Sequence, residues 1–143
     1  MAPFLAATDI LPPPPKLVFN EISAASSNAF WLEIINSGET TVELGGVEVS
    51  RGGAIFTFAP QSLAPGGIVA LTQAQLGFGA VDGDKLFLRT AGGFALLDAT
   101  TVKGTARARF PDGSGDWKVP SQLTPGAANV VTLRNEIVIN EIM

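Results

Sequence analysis

Leu17-Val18-Phe19-Asn20-Glu21-Ile22-Ser23 is the stretch that decides how this chain is read. It returns as Ile137-Val138-Ile139-Asn140-Glu141-Ile142-Met143, with Asn-Glu-Ile intact 120 residues further on. A strand echoed at that distance reads as one complete domain followed by the opening of a next copy. The organisation expected is therefore a Pro-rich linker over 1–16, a domain over 17–134 and the first strand of a following repeat over 135–143. Within the linker, Pro12-Pro13-Pro14-Pro15 favours an extended, semi-rigid spacer, because proline fixes its backbone and supplies no N–H donor. Residues 1–7 lack the charged start and long apolar core of a secretory signal.

Outward from Leu17, apolar residues come in short runs separated by turns. Phe30, Leu32 and Ile34 alternate with Trp31, Glu33 and Ile35, the two-residue period of a half-buried strand. Further strands are expected at 42–44 and 47–49, interrupted by Gly45-Gly46, and then at 55–58. Ile68-Val69-Ala70-Leu71 is apolar on both faces and reads as a central strand. Lys85 to Arg89 and Phe94 to Leu97 read as a hairpin across Gly92-Gly93, and Thr105 to Phe110 as a strand with Arg107 and Arg109 on one side. Pro111 to Trp117 reads as a loop. Only Thr72 to Leu76 has the look of a helical turn. Strands about ten residues apart predict an all-β fold, a sandwich or barrel.

Composition limits the chemistry. A chain of 143 residues buries roughly two-thirds of its unfolded surface, enough for a core without staples. It has no cysteine and no histidine, which removes Ser-His and Cys-His catalysis and the commonest transition-metal ligands. Net charge is −4, and the nine Lys and Arg residues form no cluster, the closest being Lys103, Arg107 and Arg109. Nucleic acid is thus disfavoured as a partner, as is a polybasic membrane patch. No apolar run approaches the ~20 residues of a spanning helix, so no membrane insertion is expected.

Seven pieces, in order, resemble the lamin-tail domain, a module of nuclear lamins also found in bacterial surface and secreted proteins. They are Val18-Phe19-Asn20-Glu21-Ile22, Trp31-Leu32-Glu33-Ile34 with Asn36, and Val42-Glu43-Leu44-Gly45-Gly46, followed by Leu63-Ala64-Pro65-Gly66-Gly67 and Gly83-Asp84-Lys85-Leu86-Phe87-Leu88. Arg109-Phe110-Pro111-Asp112-Gly113 with Trp117, and Thr124-Pro125-Gly126 with Asn129, complete the series. The resemblance covers about residues 17–129. It implies an immunoglobulin-like β-sandwich of the bacterial type, extracellular or at the cell surface, with no shared catalytic residues. The chain has no coiled-coil heptads upstream and is acidic, so lamina assembly and chromatin binding do not carry over.

Four constellations remain. Glu21 and Glu33 sit in neighbouring strand motifs and could act as acid and base; the competing reading pairs each with an arginine or with backbone groups at a sheet edge. Asp112, Ser114 and Asp116 place oxygens at every second position, as calcium loops do, but offer three ligands where calcium takes six to eight. The competing reading is a glycine-rich turn, and Asp82-Gly83-Asp84 poses the same choice. Trp31 and Trp117 are stacking platforms for a sugar or else packing residues. Ile137, Ile139 and Ile142 are the apolar residues of the echoed strand, which is expected to add to a sheet edge in its own molecule or another, giving a strand-exchange homo-oligomer, or else to be a frayed tail. The function expected is a non-catalytic structural or protein-interaction module of a larger multi-domain protein, contacting other domains or protein partners. The alternative is a calcium-stabilised or carbohydrate-contacting adhesion domain.

Overall fold

The computed structural model describes residues 13–25, 27 and 29–134. Most of the 1–16 linker and the whole of 135–143, with Ile137, Ile139 and Ile142, lie outside them.

The strand order follows the apolar pattern. Strands β1 (Leu17–Ile22), β2 (Trp31–Asn36), β7 (Ile68–Thr72), β10 (Arg107–Phe110) and β11 (Asp116–Lys118) form one antiparallel sheet in the order β11-β10-β1-β2-β7. A second antiparallel sheet joins β4 (Glu48–Arg51), β5 (Ala54–Thr57), β8 (Lys85–Arg89) and β9 (Leu96–Thr101) in the order β5-β4-β8-β9. The short strands β3 (Val42–Glu43) and β6 (Ser62–Leu63) pair with each other. The all-β sandwich expected is thus the fold observed. Leu17, Phe19, Ile22, Leu32 and Ile34 from one sheet belong to the same buried cluster as Val49, Leu86 and Leu88 from the other.

The one predicted helical turn is α1 (Gln73–Leu76), and its ends explain it. Thr72 Oγ1 accepts from Gln75 N while Thr72 N donates to Gln75 Oε1, a reciprocal cap, and Gly77 closes the turn at φ 76°.

Four readings need correction. Ile68–Leu71 is not central: β7 is an edge of the five-stranded sheet. Its second apolar face is answered by a loop, since Ile68 borders a cavity together with Asp112, Ser114 and Ala128. Phe94 is not in a strand. Gly92 and Gly93 both take positive φ, Thr90 N donates to Ala95 O, and β9 starts only at Leu96, which leaves Phe94 92% exposed. Trp117 is a strand residue, paired with Arg109 across β10 and β11. Finally, β2 is buried on both faces, because Glu33 and Ile35 are as covered as Leu32 and Ile34.

These placements give opposite expectations for two large apolar residues. Leu88→Ala should lower unfolding stability by about 2–5 kcal/mol through the cavity it leaves. Phe94→Ser should stay within about 0.5 kcal/mol of the parent, as an exposed substitution does. Urea denaturation of the two variants measures both.

Candidate functional site

The strongest concentration of polar groups lies on the face of β1 and β2 that turns away from the second sheet. It begins with a register shift. Phe19 pairs with Ile34, but the next partner of β2 residue Glu33 is Glu21, so Asn20 is an extra residue in β1. A bulge of this kind re-aims the side chains around it. Glu21 and Glu33 become direct cross-strand neighbours, and both are fully buried.

Asn20 occupies the centre. Its Nδ2 donates to Glu33 Oε1 at 2.8 Å and to Asp112 Oδ1 at 2.8 Å, and its Oδ1 accepts from Gly113 N at 2.9 Å. The remaining donors come from a segment that follows β11. Thr124-Pro125-Gly126-Ala127 is a turn closed by Ala127 N to Thr124 O, with Gly126 at φ 81°, the type II geometry that Pro-Gly favours. The turn aims Gly126 N at Glu33 Oε2 (2.9 Å), while Thr124 gives both its N–H (3.1 Å) and its hydroxyl (2.9 Å) to Glu21 Oε2.

Asn129 completes the attachment. Its Nδ2 donates to Asn20 O (3.1 Å) and Arg109 O (2.9 Å), bridging β1 and β10 where the bulge separates them, and its N–H goes to Asp112 Oδ1 (3.1 Å). Ser121 then closes the segment on itself by donating its N–H and hydroxyl to Val130 O. A loop over 119–134 therefore covers the carboxyl pair. Its donors are backbone amides and a hydroxyl, so of the two kinds of partner weighed for these carboxyls, arginine or backbone groups, backbone groups are the ones found.

Electrostatics follow from this burial. Desolvation pushes the Glu33 carboxyl up from 4.5 to about 7, against the lowering effect of the Gly126 and Asn20 bonds, with Glu21 and Asp112 adding like charge. Glu21 is raised as well, chiefly by burial, and its Oε1 is buried with no hydrogen-bond partner. Two adjacent carboxyls in this setting hold a proton near neutral pH. That is acid–base potential in principle, but Asn20, Thr124 and Gly126 occupy three of the four carboxyl oxygens.

The other candidates separate. Of Asp112, Ser114 and Asp116, only Asp112 enters the polar cluster; Ser114 is exposed, and the Asp116 side chain is 91% exposed and 3.9 Å from Lys118 Nζ. The glycines between them are there for packing. A Cβ on Gly113 would sit 2.9 Å from Ser37 Cβ, and one on Gly115 would overlap the Phe110 carbonyl. Among the described residues, no group of three or more acidic side chains is arranged to hold a metal ion. Asp84 accepts from Val81 N (2.8 Å) and Arg51 (2.9 Å), which together keep its carboxyl below the usual range, while Asp82 is exposed.

Trp117 carries the guanidiniums of Arg107 and Arg109 against its ring, 4.9 and 4.7 Å from the centroid. Arg109 also donates Nε to Phe19 O (2.8 Å) and meets Asp98 Oδ2 at 3.2 Å, while Asp98 accepts from Phe19 N (2.9 Å). These bonds satisfy the backbone of β1 beside the bulge and tie the two sheets together. Trp31 is half-buried at the opposite end of the sheet and borders an open cavity. Sequence reasoning missed the clamping roles of Thr124 and Asn129. The signal was a Pro-Gly turn closely followed by Asn, with two strand carboxyls lacking any evident cation.

Asn129→Ala should cost about 2 kcal/mol or more, since it strands two buried carbonyls, whereas Asp116→Asn should be near neutral. A pH series tests the carboxyl pair. Glu33 binds its proton more tightly folded than unfolded, so its contribution is complete below about pH 4.5 and is lost as pH rises to about 7. At ~1.4 kcal/mol per pH unit the loss is on the order of 3 kcal/mol. Chemical denaturation between pH 4.5 and 7.5 should show this fall in the parent and a flatter profile in Glu33→Gln. No family model, curated protein or solved structure matches the chain.

Proposed function

We propose that this domain is a non-catalytic structural and protein-interaction module of a larger multi-domain protein, of the lamin-tail type and working outside the cell or at its surface. One observation carries the reading. The groups best suited to acid–base work, Glu21 and Glu33, have three of their four oxygens bonded within the fold, two of them to the 119–134 segment that covers the pair. The lamin-tail resemblance supports it further, because eight residues of its motif pieces, Asn20, Glu21, Glu33, Asp112, Gly113, Thr124, Gly126 and Asn129, come together in that one cluster. Residues that recur as motif pieces for a shared structural purpose fit a module whose task is to hold its shape.

The echoed segment 137–142 is the means of association that this reading assigns to the module. In β1 the bulged Asn20-Glu21 binds Glu33, Asp112, Gly113 and Thr124, and Asn140-Glu141 repeats that pair. A strand with these side chains is complementary to a sandwich of this kind, whether a following domain or a second copy of the chain. Light scattering on the full chain should therefore give a mass that rises with concentration, and deleting 135–143 should leave a monomer. An unchanged mass would remove the strand from the interaction. Catalysis is checked separately with chromogenic esters, glycosides and phosphate esters: the parent should turn over none of them. Turnover lost in a folded Glu33→Gln variant would overturn the module reading.

A further inference from the structure

At the end of the five-stranded sheet, past the pairing of Trp31 with Thr72, the chain leaves an open cavity of about 680 Å³. That volume lies within the range of small-ligand sites. Phe30 and Phe78, both buried, contribute apolar surface, Trp31 borders it, and Thr72 at the end of β7 and Gln73 at the start of α1 complete that side. The glycines beyond α1 keep it open. Gly77 caps the helix at φ 76° with nothing within 4 Å of a Cβ built there, and a Cβ on Gly79 would sit 2.9 Å from Gln73 Oε1.

The chemistry of the lining selects a ligand. Among the described residues, no Lys, Arg, Asp or Glu lines the cavity, and Arg51, which lies over the Phe78 ring 5.8 Å from its centroid, is already paired with Asp84. Trp31 bonds through its backbone N–H to Ser23 Oγ, and the Thr72 hydroxyl is engaged in the helix cap. Among the described residues, the Trp31 indole N–H and the Gln73 amide have no protein partner. An aromatic plane with one donor, beside an amide that both donates and accepts, suits a ring with an apolar face and hydroxyls around its rim. Trp117 offers no such platform, because two guanidiniums already lie against it.

We infer that the Trp31–Gln73 groove binds a pyranose unit of a neutral glycan, with the indole stacked on the sugar face and the Gln73 amide bonded to its hydroxyls. The groove shares no residue with the carboxyl cluster, so the proposal stands or falls apart from the module reading.

The chain has two tryptophans, and therefore two indole N–H signals, one from the groove and one from Trp117 as an internal control. Following both by NMR while titrating cellohexaose, xylohexaose, mannohexaose and N-acetylchitohexaose into the full chain tests the assignment. At least one glycan should move the Trp31 signal saturably and leave Trp117 in place. Gln73→Ala, an exposed change that leaves the fold intact, should weaken that binding roughly tenfold, and Trp31→Ala should abolish it. Absence of a Trp31 shift with all of these glycans overturns the proposal. So does a shift that follows protein concentration instead of sugar, which would assign the groove to a protein contact.

Discussion

Two carboxyl groups placed side by side in a dry environment set the terms for the rest of this molecule. Glu21 and Glu33 face each other across neighbouring strands with no cation to balance them. An unpaired buried charge costs several kcal/mol, so such groups persist only where hydrogen-bond donors or protons compensate them. Here both remedies operate. Asn20 and the 119–134 segment supply the donors, and burial retains a proton on the pair near neutrality. The segment, which forms no regular strand of its own, acquires a fixed position because the acids need it there.

This arrangement also accounts for the asymmetry of the sandwich. Between the sheets the buried cluster is apolar, and the outer face of β4, β5 and β8 carries partly exposed residues such as Ile55. The outer face of β1 and β2 instead lies under a polar lid, so those strands are buried on both sides. At the border between the two environments, Arg109 and Asp98 reach the Phe19 backbone left unpaired beside the bulge. Charged groups of intermediate exposure thus do the work of a missing ladder, a role in which their modest ion-pair energy matters less than the backbone groups they satisfy.

Much of the fold was legible because short apolar-rich runs are set off from one another by turn residues. Strands β1, β2, β4, β5 and β8 fall close to where their apolar residues put them, and the Thr72–Gln75 cap was visible as a short helical turn. Misreadings arose where a residue's environment comes from a distant segment. Ile68–Leu71 looked central because its second apolar face meets a loop and not another strand. Phe94 looked like a strand residue because hydrophobicity alone does not report the two left-handed glycines before it. In the polar cluster the residues themselves stood out as motif pieces, but their partners lie some 90 to 110 positions away in sequence, as Asn20 does from Gly113 and Asn129. No local pattern encodes such a pairing.

The attachment of Asn129 to the Asn20 carbonyl has a mechanical consequence. Residues near the two sides of the domain, β1 at its entry and Asn129 near its exit, are bonded directly to each other. Tension drawn along the polypeptide would run through that junction and the β1 ladders beside it, loading several short bonds in parallel. The hairpins of the second sheet lie off this line of force. Under such a load the unit would behave as a stiff link whose resistance is concentrated in a handful of polar contacts.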